Sequence, residues 1–505
     1  ATGKFSYGDF FKPRSEGMTR QNNLVNWRHR ENAFEDFNNQ YLIPHAESTR
    51  GPKVATADVN KDGLEDLYVC GAKDQAGELL IGQKNGGYRS ADTAVFNKGS
   101  ASEEVDALFV DVNNDGHPDL YVVSGGNEYS GAHRALLDKL YINDGRGRFE
   151  SSENALPLIL ENKSCVTAAD IDKDGDMDLF IGTLANSKAY GVPQTSHLLL
   201  NDGKGNFSQA DPGTISLTDI GMVTSAQFAD MNKDGWVDLI VAGEWMPLVV
   251  FINEKGKFRK ETIPGSTGLW QTIFVDDLNK DGSPDILGGN WGWNSKLWSG
   301  KNGPLKLYVS DYDKNGQADQ LMSYTLEGRE YPFLAKDEVE RSLPLLKKHY
   351  LKYGEYAGVE MKDVFYGWVD SIKPIQAERL GSAVFFGNGK GGFQITDLPA
   401  DLQLAPIMCF QKMTSGSATP DIYFAGGNFF DVIPYEGQYD ARAMSAFRYE
   451  EGKISVSHDR FNPMFKSQVR DLQWLKITGT DSVLAVAAND DSLRLFRINS
   501  HILFH

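Results

Sequence analysis

Six times along this 505-residue chain the pattern D-x-[DN]-x-[DN]-G-x-x-D recurs between short apolar runs. The copies are DVNKDGLED from Asp58, DVNNDGHPD from Asp111, DIDKDGDMD from Asp170, DMNKDGWVD from Asp230, DLNKDGSPD from Asp277 and DYDKNGQAD from Asp311. Repetition constrains the fold before any single residue does, because a short unit that cannot bury its own faces must bury them against its neighbours. Upstream of the loops stand ALFV, VTAA, SAQFA and TIFV; downstream stand LYVCG, LYVVSG, LFIGT, LIVAG and ILGG. Aromatic and β-branched runs of this length, punctuated by Gly, read as buried strands. A second hairpin follows in several copies, with the turns NDGRGRF from Asn143, NDGKGNF from Asn201, NEKGKF from Asn253 and NGKGGF from Asn388. Their Asn, Asp and Gly residues supply the positive φ angles that tight hairpins require.

One unit is therefore strand, carboxylate loop, strand, connection, strand, Gly-rich turn, strand. Four antiparallel strands in roughly 45–60 residues predict an all-β propeller. Units starting near residues 53, 105, 165, 223, 270, 404 and 468 make seven blades. The count is eight if the Asp311 unit stands separately, although LKLYVS before it reads as a third strand of blade five. The last two units look like blades without the carboxylate loop; in the first of them MTSGSATPD, Met413 to Asp421, stands in its place. WRHRENAFEDF is expected to supply an N-terminal strand that closes the ring. Residues 1–23 read as an N-terminal extension and 24–505 as one propeller domain. A helical insertion is expected over 329–375, where Val339, Leu343, Leu346 and Tyr350 keep helical spacing and Pro344 kinks it. Lys347, Lys348 and His349 there read as a solvated helix face.

A net charge of −18 argues against a nucleic-acid partner, which needs clustered Lys and Arg. No run of eighteen apolar residues occurs, so no transmembrane segment is expected. Cys70, Cys165 and Cys409 lie far apart in apolar contexts and read as buried, inert thiols outside any disulfide framework. The chain opens ATGKFSYGDF without a charged and apolar leader, which reads as a mature or trimmed form, or a cytosolic one.

The acid is concentrated in the loops. Position 1 is Asp58, Asp111, Asp170, Asp230, Asp277 and Asp311; position 3 is Asn60, Asn113, Asp172, Asn232, Asn279 and Asp313. Position 5 is Asp62, Asp115, Asp174, Asp234, Asp281 and Asn315. Position 9 is Asp66, Asp119, Asp178, Asp238, Asp285 and Asp319. With a backbone carbonyl from position 7 (Leu64, His117, Asp176, Trp236, Ser283, Gln317), these oxygens can wrap a hard cation. Ca²⁺, which takes six to eight oxygens in flexible geometry, fits better than Mg²⁺. An EF-hand is excluded, because it needs a Glu at position 12 where this chain has Val69, Val122, Ile181, Val241, Gly288 and Met322, and helices where it has strands. A plain polar turn explains one copy but gives no reason for an Asp at position 9 in all six, so about six Ca²⁺ sites are expected. Divalent cations would also relieve the mutual repulsion of three or four carboxylates per loop.

The loops resemble the FG-GAP/VCBS calcium loops of integrin-α-like propellers. GPKVATADVNKDGLEDLYVCGA, LYVVSGGNEY, GMVTSAQFADMNKDGWVDLIVAGEWMP, NGQADQLMSY and VRDLQWL with AANDDSLRLF are together similar to a bacterial extracellular family. That family is related to cartilage-acidic-protein-like chains with ASPIC/UnbV segments, and the similarity covers roughly residues 24–500. The chain departs from it over Met413 to Asp421, where members usually carry another carboxylate loop, and shows no evident ASPIC/UnbV segment. The resemblance implies a secreted or outer-membrane-associated location and no established biochemical activity.

In a propeller the connections from strand one to two and from strand two to three lie on opposite faces. The second set reads GGNEY (Asn127, Glu128, Tyr129), GEWMP (Glu244, Trp245), GGNWGWN (Asn290, Trp291, Trp293, Asn294), GGNFF (Asn428, Phe429) and ANDD (Asn489). Aromatic platforms beside amides and carboxylates suit a glycan or protein partner; alternatively the aromatics fill the channel and the amides satisfy turn backbone. The expected function is a calcium-stabilised extracellular binding or adhesion propeller. The alternative is a polysaccharide lyase or hydrolase, which would need an acid/base pair or a Tyr, His and Arg cluster in one pocket. Glu128, Glu244 and Tyr129 are the candidates placed on that face, and HExxH and GxSxG are absent.

Overall fold

The computed structural model describes residues 17–504 except 92–93, 153, 298–302, 415–419, 434–435, 458–464 and 479–480. The repeat unit folds as expected. In blade one Val54–Ala57, Asp66–Val69, Glu78–Gly82 and Tyr88–Ser90 pair antiparallel in chain order. The same order recurs in units that begin with Glu103–Val110, Lys163–Ala169, Met222–Ala229, Thr272–Asp276, Ile407–Met413 and Gln468–Thr478. Each of these first strands lies beside the next, and the strand of the last unit lies beside Val54–Ala57, so the succession returns on itself. The fold is a β-propeller.

The period of two along each second strand makes this ring. Tyr68 and Cys70 pack with Leu120 and Val122 of the next blade, whereas Leu67 and Val69 pack with Leu475 and Val483 of the last one. Tyr121 and Val123, the alternate residues of blade two, face Leu179 and Ile181. Apolar clusters of this kind fill every junction between consecutive units. All three cysteines are unpaired and buried in these clusters, and burial pushes the thiols of Cys165 and Cys409 up to about 12. At the axis, polar side chains bridge the inner strands. Asp471 accepts from Val54 N (2.9 Å), Asp106 from Val166 N (2.9 Å) and Gln227 from Val275 N (2.9 Å), satisfying ladder edges that face the channel.

Three expectations change. The strand that closes the ring is Met18–Gln21, paired with Arg494–Ile498 of the last blade. It lies inside the supposed extension, and WRHRENAFEDF is not the closing strand. The interruption of blade five is wider than 329–375, because the second strand Asp285–Gly289 pairs with Ala383–Gly387 across everything between. Finally, LKLYVS is not a third strand of that blade. Leu305–Ser310 pairs with Asp319–Leu326 and Ile375–Ala377 in a separate four-stranded sheet inside the insertion, and this sheet carries the sixth loop. The helical reading holds within it. Lys336–Ser342 and Pro344–Lys348 meet at Pro344, with Val339, Leu343, Leu346 and Tyr350 buried and Lys347, Lys348 and His349 exposed.

Candidate functional site

The six loops share one backbone course. Position 4 (Lys61, Asn114, Lys173, Lys233, Lys280, Lys314) is left-handed, with φ from 57 to 64°. That conformation costs roughly 1–2 kcal/mol for a non-glycine residue. It turns the chain so that position 1 accepts from the Gly N–H at position 6 (2.7–3.2 Å) and position 5 accepts from the N–H at position 7 (2.8–2.9 Å). In three loops the left-handed residue also points its side chain at position 7 of the next loop. Asn114 donates to Asp176 (2.6 Å), Lys173 lies over the ring of Trp236 (4.2 Å) and Lys233 donates to Ser283 (3.0 Å).

Position 9 has a role that the sequence reading did not give it. Asp66 accepts from Val59 N (3.0 Å) and from Gly82 N (2.8 Å), tying the start of its loop to the end of the third strand. Asp119, Asp178, Asp238 and Asp285 make the same two bonds in their blades. Asp319 accepts from Tyr312 N (3.2 Å) and from the Ser342 hydroxyl. A polar turn of this shape thus uses the ninth Asp whether or not it holds a cation.

The donor set nevertheless fits a hard cation. Asp170, Asp172 and Asp174 bring carboxylate oxygens within 4.8 Å of one another, as do Asp311, Asp313 and Asp319. One buried oxygen each of Asp170 and Asp277 has no hydrogen-bond partner. Burial, opposed by backbone hydrogen bonds and reinforced by neighbouring aspartates, raises Asp66 and Asp178 to about 7 and Asp119, Asp238 and Asp285 to about 6. Asp319 moves in the same direction. A divalent cation would remove that penalty. The sixth loop is set apart from the other five. It sits beside the second-to-third-strand connection of blade three, where Ala318 N donates to Lys188 O (3.2 Å).

The opposite axial face is closed by the chain itself. Residues 27–51 run across it and touch the connections of blades seven, one, two, three and six. Arg28 and His29 meet the turn of Asp490 and Asp491 (His29 N to Asp491 O, 2.9 Å), and Glu31 accepts from Asn489 (2.8 Å). Asn32 donates to Glu128 (2.7 Å) and Asp36 accepts from Asn127 (2.6 Å). Gln40 accepts from Tyr190 N (2.9 Å), and Ala46 N donates to Asp431 O (2.8 Å). We call this segment the plug.

Under the plug lies a sealed polar cluster. Glu244 accepts from His45 (2.9 Å), Arg50 (2.7 Å), Gln271 (2.8 Å) and Tyr190 (2.7 Å), and Tyr190 in turn accepts from Trp245 Nε1 (2.8 Å). Burial alone would lower His45, but Glu244 and Glu47 outweigh it and hold the imidazole up at about 9. Burial would raise Glu244, but His45 and Arg50 hold it well below the usual carboxylate range. Arg470, fully buried over the ring of Phe429 (4.7 Å), is pushed down to about 10 by burial. Beneath the cluster a small cavity is lined by Glu47, Arg50, Lys53, Gln271 and Arg470, among others. A channel of about 820 Å³ continues along the inner strands past Asp106 and Asp471.

Most of the residues expected on a ligand face therefore lie inside the protein. Asn127, Glu244, Trp245, Asn290, Trp291, Asn428, Phe429 and Asn489 are buried. The amides of Asn290, Asn428 and Asn489 bond backbone carbonyls, and Trp291 packs against His45 (4.5 Å), Phe429 and Tyr439. Glu128 and Tyr129 are half-buried, with Tyr129 stacked on His133. Only Trp293 and Asn294 are exposed. The Tyr, His and Arg grouping that an enzyme would need does occur, as Tyr190, His45 and Arg50. It stands with the buried Glu244 on the inner side of the plug, which itself supplies His45 and Arg50, and none of those three was singled out from sequence. For His45 and Arg50 the signal was a non-repeating stretch, RHRENAFEDFNNQYLIPHAESTRGP, dense in charge yet ahead of the first blade.

Large exposed apolar side chains gather instead on the insertion. Trp293, Leu326, Leu345, Leu351, Tyr353 and Tyr366 all belong to residues 290–382. A groove of about 1410 Å³ there is walled by Tyr324, Tyr331, Tyr353 and Tyr356, with Lys296 and Lys336 at its edge.

In sequence, the FG-GAP-like repeat family matches residues 58–122, 111–181, 189–241 and 230–288. No curated protein matches the chain in sequence. Among solved structures, BBS1N in complex with ARL6DN is 11% identical (TM-score 0.41), covering 91% of this chain and 97% of its own. Sqt1 of Saccharomyces cerevisiae is 11% identical (TM-score 0.40), with 91% and 99% covered. YCF48 bound to D1 peptide is 6% identical (TM-score 0.43), with 93% and 97% covered. The chain thus carries FG-GAP-like repeats within residues 58–288, and its own sheet order is that of a β-propeller.

Proposed function

We propose that this FG-GAP propeller is a calcium-stabilised extracellular binding protein that takes its partner on the tyrosine groove of the insertion. The groove carries the reading. Four tyrosines line it and offer ring faces beside Lys296 and Lys336, a combination that suits the rings of a glycan. The axial face, covered by residues 27–51, is not the surface we assign. Oxygen-only loops with orphaned carboxylate oxygens support calcium, and loops of modest affinity fill at the calcium levels found outside cells. A protein partner is the second possibility that the same experiment separates.

The test is a glycan and peptide array probed with and without Ca²⁺, using the wild-type chain and the variants Tyr331→Ala and Tyr353→Ala. Glycan hits lost in both variants support the assignment. Hits that both variants retain move the site elsewhere, and hits confined to peptides replace the glycan. A product assay on each hit tests turnover, which would revive the enzyme reading. A melting temperature unchanged by EDTA would overturn the calcium assignment, since a ligand that binds only the native state must stabilise it.

A further inference from the structure

A second kind of cation site lies away from the loops, where the plug meets blades one and two. His29, Glu31 and Glu103 bring one imidazole nitrogen and two carboxylate oxygens within 4.8 Å of one another. His29 and Glu103 are fully buried. His29 Nε2 and Glu103 Oε1 are both without a hydrogen-bond partner. They converge on Gly51, each 3.8 Å from the point where a Cβ on that residue would stand. Buried Asn127 Oδ1 and Glu128 Oε2, on the adjoining connection of blade two, are unpartnered as well. Leaving one buried polar atom unmade costs about 1–3 kcal/mol, and more when it is charged. Two such atoms facing one point, His29 Nε2 and Glu103 Oε1, need an occupant.

Charge points the same way. The charged groups acting on Glu103 include the carboxylates of Glu31, Glu128 and Glu104. The remaining bonds hold the donors in place. Glu103 Oε2 accepts from Lys73 N (2.7 Å), Glu31 accepts from Asn489 (2.8 Å) and Glu128 Oε1 accepts from Asn32 (2.7 Å). Each carboxylate is thus oriented from behind, as ligands of a metal usually are.

We propose that His29, Glu31 and Glu103 bind a divalent cation that clasps the plug onto blade two, with Glu128 and Asn127 beside it. An imidazole nitrogen among carboxylates favours Zn²⁺ or Mn²⁺ over the Ca²⁺ that suits the all-oxygen loops. Ligation through Nε2 requires that nitrogen to be unprotonated and leaves the ring proton on Nδ1. Nδ1 now accepts from the N–H of Asp490 (3.2 Å), which places the ring proton on Nε2; ligation through Nε2 moves that proton to Nδ1 and breaks the Asp490 contact.

The test uses the full chain saturated with Ca²⁺, then loaded with Zn²⁺ or Mn²⁺ and dialysed against Ca²⁺. One Zn²⁺ retained per chain is expected by elemental analysis. The Mn²⁺ form should show nitrogen hyperfine coupling from a bound imidazole, a measurement on the wild type that needs no variant. His29→Gln should abolish that coupling, and Glu103→Gln should weaken Zn²⁺ binding at least tenfold, with folding of both checked by circular dichroism. Zn²⁺ not retained by the wild type, nitrogen coupling absent, or Zn²⁺ held equally by the His29→Gln/Glu103→Gln double variant would each overturn the site.

Discussion

Asn201 donates its side-chain amide to the carbonyl of Val112, 2.9 Å away in the loop of the preceding blade. Its backbone N–H goes to Asp178 of its own blade, also at 2.9 Å. Asn143 makes the same pair of bonds to Val59 and Asp119, and Asn253 to Ile171 and Asp238. In blades two, three and four the Asn that opens the Gly-rich turn therefore links the ninth Asp of one loop to the second residue of the loop before it. The loops of blades one to four form a continuous belt.

If the belt acts as a unit, its members are not additive. Asn201→Ala should cost about 1–3 kcal/mol, the range for leaving a buried carbonyl unmade. Asp178→Ala should cost a similar amount, and the double variant clearly less than their sum, because each breaks the same relay. Urea unfolding in saturating Ca²⁺ measures all three. Strict additivity would reduce the belt to independent turn contacts.

The pair of His45 and Glu244 sets a pH dependence of definite sign. His45 titrates near 9 in the folded chain against 6.5 when free. Its contribution is full below pH 6.5, declines between 6.5 and 9 as the unfolded chain loses its proton first, and is gone above 9. A shift of that size corresponds to an order of 3 kcal/mol. The difference in unfolding free energy between wild type and His45→Gln should therefore shrink from pH 6 to pH 9.5, with Ca²⁺ present throughout to hold the loop aspartates ionised. A difference that stayed constant would show that His45 is neutral in the folded chain.

Among the described residues, Met18–Gln21 is the strand that the N-terminal side adds to the last blade, and it covers the edge of Arg494–Ile498. Removing residues 1–21 exposes that edge and uncovers part of the apolar cluster around Met18, Val469 and Phe496. An unpaired outer edge invites pairing with another chain. The truncated protein should melt lower and associate at high concentration in light scattering. An unchanged melt and a monomer would show that the ring holds without its closing strand.

The repeat was legible because one period fixes everything near it. Spacing alone placed the five blade loops and the Asn turns; the packing of Tyr68 and Leu67 on different neighbours came from the structure, where the period of two explains it. The plug was not legible for the opposite reason. His45, Arg50 and Tyr190 are separated by up to 199 residues from Glu244, and no periodicity links them. The same signals that mark a ligand platform, Asn beside an aromatic ring, also mark a turn whose amide bonds its own backbone. Only the position of residues 27–51 decides between them. Position 9 misled in a second way, since Asp serves both the cation reading and the backbone staple.

Trp291 and Trp293 put that ambiguity to a direct test. Two residues apart in GGNWGWN, they are chemically the same to a reader of the sequence. Trp291 is 1% exposed and packed among His45, Phe429 and Tyr439, whereas Trp293 is 55% exposed. Truncating a buried Trp leaves a cavity and costs about 3–5 kcal/mol; an exposed side chain usually changes stability by about 0.5 kcal/mol or less. Trp291→Ala should therefore unfold at markedly lower urea, and Trp293→Ala should unfold with the wild type. Equal midpoints for the two variants would mean that the plug does not cover the axis in solution, and that Trp291 belongs to an open face after all.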